Sequence, residues 1–343
     1  MKKTSIAIIS LLLVLVSLSA CGNRNEGASS SEPITVKVGI FKNVSHAVAY
    51  TALAKNYFQE QFGDRVTLEL IPFDQGADFS AAIATNQIDF GFAGPAPVTI
   101  QYLKSQNFRV ISGSINGGSL LIIRKDAGIR SLKDLVGKTV SITAKGSTVE
   151  TQLRMLLEQE GLPVTTNDSG VQIIARAPTD TLTAFRQNEV DAALVPEHWG
   201  SLLVQEGLAD VLVNWDAMPP NNGNMPFTIM VASDKFLREH RDLAKKAIQA
   251  NLDAIDFIKK NPDEAPELIR TELKKVTGIE LDVDLIRLSL SHMLLTADVN
   301  QQAIIDMATI NINAGYIKDV KVEELALDGL FDLSLLEELQ AGK

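Results

Sequence analysis

Polar residues that could bind a small ligand stand at the predicted starts of two helices. Asn43-Val44-Ser45-His46 follows the first predicted strand, and Lys145-Gly146-Ser147-Thr148 follows a similar strand 102 positions later. The first N–H groups of a helix have no intrahelical partners and lie at the positive end of the helix dipole. The matched Ser45 and Ser147 therefore suggest two similar halves that close on one ligand, with helix capping as the simpler alternative at both places.

The second of these segments also has the spacing of a capping box, because Glu150 lies three positions after Ser147. In that arrangement the Glu150 carboxylate accepts from the Ser147 N–H, and the Ser147 hydroxyl oxygen accepts from the Glu150 N–H. The N–H groups of Thr148 and Val149 and the Thr148 hydroxyl would then remain available for a ligand.

Two further segments are candidates for the same site. Gly94-Pro95-Ala96-Pro97-Val98-Thr99 opens a predicted helix, and its prolines leave the N–H groups of Ala96 and Val98 as donors; plain helix architecture is an equal alternative. In Pro196-Glu197-His198-Trp199, Trp199 could form an apolar wall, although tryptophan is also common in cores. Glu197 could act as a base or pair with a cation.

Motifs of common enzymes and cofactor sites are missing from the sequence. It contains no Walker loop, no Gly-x-Gly-x-x-Gly after a strand, no His-Glu-x-x-His and no Gly-x-Ser-x-Gly. His240 and His292 fall on predicted helical segments, where packed or surface histidines are more common than ligands. We therefore predict a protein that is not an enzyme and uses no cofactor and no metal.

An internal repeat predicts the fold. Residues 78–91 and 180–193 share one pattern, and the same register extends upstream over about fifty residues. Each copy has the order strand, helix, strand, helix, strand, which predicts a parallel sheet with right-handed crossovers. Two such α/β lobes leave a cleft, where small ligands usually bind. From Asp234, a predicted N-cap, the chain is mainly helical without strands, and we expect this region to pack on the first lobe.

Composition and the N-terminus narrow the function further. The net charge is −10 and no basic stripe is present, which argues against a nucleic-acid partner. Lys2, Lys3 and the apolar stretch 6–18 form a targeting segment too short to span a membrane comfortably. The end of this segment, Leu18-Ser19-Ala20-Cys21, resembles a bacterial lipoprotein signal. By that resemblance residues 1–20 are removed, Cys21 carries the lipid, and residues 21–33 form a flexible tether.

The lobes and motifs together resemble the substrate-binding proteins of bacterial ABC importers. Residues 86–97, Asn-Gln-Ile-Asp-Phe-Gly-Phe-Ala-Gly-Pro-Ala-Pro, are similar to a segment of the group that binds nitrate, taurine and aliphatic sulfonates. Residues 132–140 with 145–148, and residues 188–192 with 196–199, are similar to the second-lobe segments of that group. The resemblance implies a monomeric, extracytoplasmic, lipid-anchored receptor that delivers a small sulfonate-type anion to a membrane permease and its ATPase.

The resemblance also implies the architecture and the site. It predicts the two-lobe periplasmic-binding-protein fold (type II), an α/β fold with chain crossings near 119–126 and 224–232 and a helical C-terminal region. Residues 34–123 and 228–343 would form lobe 1, and residues 124–227 lobe 2. The implied ligand contacts are Ser45, His46, Gly94, Ala96, Ser147, Thr148 and Trp199.

One departure from the group leaves other ligands open. His198 is the only basic residue in the segment 196–199, where an anion would favour a cation. Nitrate or bicarbonate, a zwitterion or a pyrimidine-type solute therefore remain alternatives. Enzymes of pyrimidine or menaquinone biosynthesis, with Glu197 or His198 as the acid–base group, resemble the same fold, and a sensory or adhesion module is a third possibility.

Overall fold

The computed structural model describes residues 33–219, 223–318 and 320–342, and Ile34–Lys343 form one compact unit. The predicted leader, Cys21 and all of the predicted tether except residue 33 lie outside the described residues. The strands are β1 Ile34–Phe41, β2 Val66–Phe73, β3 Phe90–Ala93, β4 Phe108–Gly117, β5 Ser119–Arg124, β6 Thr139–Ile142, β7 Gln172–Ala175, β8 Ala192–Pro196, β9 Ala209–Val213, β10 Pro226–Ser233 and β11 Met293–Leu295.

Helices cover both sheets. They are α1 Ala47–Ala54, α2 Tyr57–Phe62, α3 Gly76–Ala84, α4 Pro95–Ser105, α5 Thr148–Gln159, α6 Pro178–Arg186, α7 Trp199–Gln205, α8 Asp234–Glu239, α9 Arg241–Lys260, α10 Ala265–Thr277, α11 Val283–Ser291, α12 Gln301–Asn313 and α13 Ser334–Ala341. Short 3-10 helices occupy Val44–His46, Leu132–Leu135, Trp215–Ala217, Val322–Glu324 and Asp328–Leu330.

The strands form two sheets, one in each lobe. The first has the order β11-β4-β10-β3-β1-β2 and the second the order β7-β6-β8-β5-β9. The prediction of a parallel sheet is right for β1, β2 and β3 and for β6, β7 and β8. It is wrong for the rest, because β10 runs antiparallel to β3 and β4, and β5 runs antiparallel to β8 and β9. The antiparallel pairs arise where the chain changes lobe.

The chain crosses between the lobes twice. The first crossing follows β4 at Gly117 and Gly118, whose φ angles of 73° and 79° lie in the left-handed region that favours glycine. Because β5 pairs in the second sheet, this crossing precedes the predicted boundary after residue 123. The return segment lies beside it, since the Gly117 N–H donates to the Met225 carbonyl at 3.0 Å. β10 then begins at Pro226, close to the predicted return at 228.

The repeated aspartates have the same structural role in each lobe. The Asp89 carboxylate accepts from the Lys37 N–H at 2.8 Å, and the Asp191 carboxylate accepts from the Thr139 N–H at 2.9 Å. Each bond joins the first strand of a repeat copy, β1 or β6, to the residue just before its third strand, β3 or β8. The burial of Asp89 raises the pKa of its carboxyl, and the hydrogen bond from Lys37 opposes that shift. The repeated motif is therefore part of the framework on which the site is built.

Three predicted elements differ from the structure. The predicted helix from Ser45 to Phe58 is broken at Asn56, whose left-handed φ of 59° separates α1 from α2. The N-cap of α8 is Ser233, whose hydroxyl oxygen accepts from the Phe236 N–H at 3.1 Å, so Asp234 is already helical. The C-terminal region contributes one strand, because β11 pairs with β4 at the edge of the first sheet.

The C-terminal helices pack mainly on the first lobe, as predicted, but two of them also contact the second lobe. Helices α9 and α10 pack on α1, whereas α12 packs against both α4 of the first lobe and α5 of the second, and α11 contacts α7 of the second lobe. In the described part of the chain, no helix combines the length and the apolar character needed to cross a membrane.

Candidate functional site

A cavity lies in the cleft at the carboxyl ends of β1, β3, β6 and β8. It encloses about 700 Å³ when its solvent-open mouth is included. We call it the main cavity. Its lining residues are Phe41, Asn43, Ser45, His46, Asp74, Gln75, Gly76, Gly94, Pro97, Thr143, Ala144, Ser147, Thr148, Val149, Pro178, Pro196 and Phe227. In an open α/β sheet this edge is where ligands bind.

The internal repeat organises the lining of the main cavity. Five pairs of residues separated by 102 positions face it: Phe41 with Thr143, Ser45 with Ser147, His46 with Thr148, Gly76 with Pro178, and Gly94 with Pro196. The two lobes thus present equivalent backbone positions to the cavity from opposite sides. The side chains differ within four of the pairs, so the repeat preserves helix starts rather than particular chemical groups.

Five of the seven residues expected at the site line this cavity, and two do not. Ser45, His46, Gly94, Ser147 and Thr148 are in the lining. Ala96 is fully buried among Met155, Met225 and Met307. Trp199 packs on the core of the second lobe, where its ring lies 4.6 Å from that of His198. Trp199 therefore does not form the expected wall of the site. Helix α7 begins at Trp199 itself, and Pro196 is the residue of this segment that faces the cavity.

Ser45 connects the two lobes at the cavity wall. Its N–H donates to the Asn43 side chain at 3.0 Å, and its hydroxyl donates to the Glu197 carbonyl of the second lobe at 3.2 Å. The Ser45 carbonyl accepts from the Thr228 hydroxyl at 2.7 Å. Because the Ser45 hydroxyl already donates its proton to Glu197, it can only accept a hydrogen bond from a ligand.

The predicted capping box at Ser147 is only half formed. The Ser147 hydroxyl oxygen accepts from the Glu150 N–H at 3.3 Å, but the Glu150 carboxylate accepts from the Gly146 N–H at 2.6 Å instead of from Ser147. The same buried carboxylate also binds Arg154 at 2.8 Å and accepts from the Tyr316 hydroxyl at 2.8 Å. Burial, with a smaller contribution from Glu150, raises the pKa of Tyr316 to about 12, so this donor stays protonated. Glu150 thereby fixes the start of α5 and links it to the C-terminal region.

The starts of α4 and α5 touch at Gly94. The Thr148 hydroxyl oxygen accepts from the Ala96 N–H at 3.4 Å, and a Cβ atom at Gly94 would lie 2.4 Å from that oxygen. Only a glycine allows this approach. The N–H groups of Thr148 and Val149, expected to be available for a ligand, have no partner among the hydrogen bonds of the described residues.

His46 is a buried, neutral ring in the lining. It stacks on Phe41 at a centroid distance of 5.0 Å, and its Nδ1 atom has no hydrogen-bond partner in the described part of the protein. Burial lowers the pKa of His46 to about 3. The ring therefore contributes no charge near pH 7, but one of its nitrogens can donate and the other accept.

Glu197 and His198, the candidate acid–base groups, point away from the main cavity. The Glu197 carboxylate is buried, accepts from the Ser201 hydroxyl at 2.7 Å and lies 2.5 Å from His292 Nδ1. His292 belongs to the C-terminal region, so it is a packed histidine paired with Glu197. His198 is fully buried, and burial lowers its pKa to about 3. Neither residue is in the lining.

Helix starts dominate the electrostatics of the main cavity. The first residues of α3, α4, α5 and α6, or the residues just before them, line it. The lining includes no lysine or arginine, and its one carboxylate, Asp74, pairs with Lys42 at 2.9 Å. Each helix N-terminus is equivalent to roughly half a positive charge. The cavity is therefore positive through its backbone.

Sequence reasoning missed two of these helix starts. Gln75 and Gly76 begin α3, and Pro178 begins α6. The 102-residue register aligns Gly76 with Pro178, so extending the repeat to every helix start would have identified both.

Comparison with known proteins defines the class. The family model described as "NMT1/THI5 like" matches residues 43–265, and the chain belongs to that family. Among solved structures, the alkanesulfonate-binding protein SsuA from Xanthomonas axonopodis pv. citri, bound to MOPS, matches with a TM-score of 0.70 at 17% identity, covering 84% of this chain and 96% of that one. This likeness confirms the predicted periplasmic-binding-protein fold.

Two named relatives match most of the sequence. One, from Bacillus subtilis (strain 168), carries the provisional name aliphatic sulfonates-binding protein and is 27% identical over 264 residues, covering 76% of each chain. The other, the taurine-binding periplasmic protein of Escherichia coli (strain K12), is 24% identical over 249 residues, covering 71% of this chain and 74% of its own. The resemblance expected from the motifs is confirmed.

Replacing Gly94 by alanine is expected to hold the lobes apart, because the new Cβ would lie 2.4 Å from the Thr148 hydroxyl oxygen. If the closed fraction falls to a tenth, the apparent affinity for a cleft ligand falls about tenfold. Thr148→Ala removes that oxygen and leaves a contact of 3.4 Å, so the double variant should close again. Small-angle X-ray scattering of the four proteins measures this; a Gly94→Ala protein as compact as the parent would contradict it.

The stability of the protein is expected to fall as the pH drops from about 6.5 toward 3. His46 and His198 have pKa values of about 3 when folded, whereas an unfolded histidine has a pKa near 6.5, so below 6.5 protons favour the unfolded chain. Each ring contributes a slope of about 1.4 kcal/mol per pH unit in that window. Urea unfolding from pH 7 to pH 4.5 should give a smaller slope for His46→Asn, and a further reduction when His198→Asn is added. An unchanged slope in both variants would refute the assignment.

Proposed function

We propose that this protein is the extracytoplasmic solute-binding component of an ABC importer, and that it captures an aliphatic sulfonate or taurine in the main cavity. The observation that carries the proposal is the convergence of four helix N-termini on a cavity with no cationic side chain in its lining. The names of the two relatives and of the SsuA structure support a sulfonate rather than another small anion.

A sulfonate has the chemistry that such a cavity selects. Its three oxygens share one negative charge, and helix N-termini bind anions through free N–H groups and the dipole. Thr148 can donate its hydroxyl as well as its N–H, and Val149 adds a second N–H. The neutral His46 ring can donate a further hydrogen bond. These four donors come from both lobes.

The binding energy available is sufficient for a transport receptor. A hydrogen bond to a charged group contributes about 1.5–3 kcal/mol, so four contribute about 6–12 kcal/mol before ordering costs. A dissociation constant of 1 μM corresponds to about 8 kcal/mol. The overall charge of −10 opposes an anion only weakly, because salt screens distant charges over about 8 Å while the donors are in direct contact.

Capture would proceed by closure of the lobes around the ligand, with the two adjacent crossing segments as the hinge. The closed protein would then dock on the permease, which releases the ligand into its own pathway with energy from the ATPase. The receptor itself breaks no covalent bond of the ligand in this cycle. A role as an enzyme has no support in the main cavity, because neither Glu197 nor His198 lines it.

Calorimetric titration tests the ligand class. The parent protein is expected to bind propanesulfonate or taurine with a dissociation constant of about 1–10 μM. Thr148→Val should weaken binding about tenfold or more, because it removes the hydroxyl donor and keeps the shape. Thr277→Val, in a helix of the C-terminal region away from the cavity, is the matched control. Binding of nitrate or a pyrimidine with no response to any sulfonate would overturn the ligand assignment.

We infer from its lipoprotein-like leader that the protein is anchored by a lipid, with Cys21 as the modified residue. Expressed with its leader in a bacterium, the parent chain should sediment with membranes and enter the detergent phase of Triton X-114. Cys21→Ser should appear in the aqueous fraction, because serine lacks the thiol to which the lipid is attached. Equal partitioning of the two chains would show that the anchor is absent.

A further inference from the structure

A second cavity adjoins the main one. Its lining residues are Gln75, Gly76, Ala77, Asp78, Ser80, Pro97, Ile100, Gln101, Lys104, Ala144, Lys145, Gly146, Ser147 and Tyr316. Five of these, Gln75, Gly76, Pro97, Ala144 and Ser147, also line the main cavity. The two cavities are therefore neighbours along the same interlobe cleft, with Gly76 and Pro97 in close contact at the shared wall.

The second cavity has polar groups that the fold leaves without partners. The Ser80 hydroxyl is completely buried and has no hydrogen-bond partner in the described residues. Lys104 lies near the end of α4 in the first lobe, and Lys145 precedes α5 in the second. Neither lysine takes part in any of the ion pairs formed by the described residues. A buried, unpaired hydroxyl in a cavity wall calls for a polar partner that the protein itself does not supply.

The charges of the two cavities differ. Lys104 and Lys145 face one carboxylate, Asp78, in the lining of the second cavity. In the main cavity Asp74 is paired with Lys42, and the lining holds no other charged side chain. The side-chain charge of the cleft is therefore positive at the second cavity and balanced at the main one. The two lysines come from opposite lobes, so lobe closure determines how close together they lie.

We propose that the second cavity binds the far, anionic end of a ligand whose sulfonate occupies the main cavity. The inference rests on the function proposed above and narrows it: the preferred ligand class is a sulfonate that carries a second anionic group, such as a sulfocarboxylate. The sulfonate would be held by helix N-termini, and the second group by Lys104, Lys145 and the Ser80 hydroxyl. Ile100 and Tyr316 contribute apolar surface for the carbon chain between the two charges.

Titration with matched ligands tests this assignment. Sulfoacetate and 3-sulfopropanoate are compared with ethanesulfonate and propanesulfonate, which have the same numbers of carbon atoms, at 50 and 300 mM salt. We expect the parent protein to bind the better sulfocarboxylate about tenfold more tightly than the matched alkanesulfonate, a preference that shrinks at the higher salt concentration. In the Lys104→Gln/Lys145→Gln double variant, the affinity ratio should fall to about one. Ser80→Ala should lower the ratio by a smaller factor.

Lys133→Gln is the control for a general loss of positive charge, because Lys133 is an exposed lysine of the second lobe outside both cavities. Its affinity ratio should equal that of the parent. Equal binding of the two ligand types by the parent, or an equal fall in the ratio for Lys133→Gln and the double variant, would overturn the second-cavity assignment while leaving sulfonate binding intact. Failure of the parent to bind any of the four ligands would instead reject the proposed function itself.

Discussion

The contact between Gly94 and Thr148 is the constraint on which the rest of the site depends. It joins the start of α4 in the first lobe to the start of α5 in the second, and it has no room for even one additional carbon atom. Two helix N-termini that meet in this way bring like partial charges together, which is unfavourable unless an anion lies between them. The contact that brings the two lobes together therefore also places two helix N-termini where a bound anion would stabilise them.

A cavity that is positive through its backbone differs from one built on lysine or arginine. Backbone N–H groups at helix starts cannot change rotamer, so little side-chain freedom is lost when a ligand binds. Burial keeps His46 neutral and lets the ring act as a hydrogen-bonding surface. In the second cavity the positive charge comes instead from exposed lysines with flexible side chains. A rigid site beside a flexible one suits a ligand with one rigidly held end and one variable end.

Sequence patterns predicted the framework well because the repeat reflects backbone architecture. Asp89 and Asp191 each connect the first strand of a repeat copy to its third, so their matched spacing is visible in the sequence alone. The antiparallel pairing of β4, β5 and β10 was not predicted, because the residue pattern within a strand does not show in which direction its neighbours run. Trp199 was expected at the site from its motif, but it packs on the core of the second lobe, because α7 begins at Trp199 whereas its counterpart α4 begins at Pro95.

The closed arrangement is held in part by contacts that need no ligand. Ser45 of the first lobe bonds to Glu197 of the second, and Tyr316 and Asn311 of the C-terminal region bond to Glu150 and Thr151 of the second lobe. A ligand can shift the balance between open and closed lobes only by its difference in affinity for the two states. Because these bonds already favour the closed lobes, the ligand has to supply less of the free energy of closure. Its apparent affinity therefore approaches its affinity for the closed site.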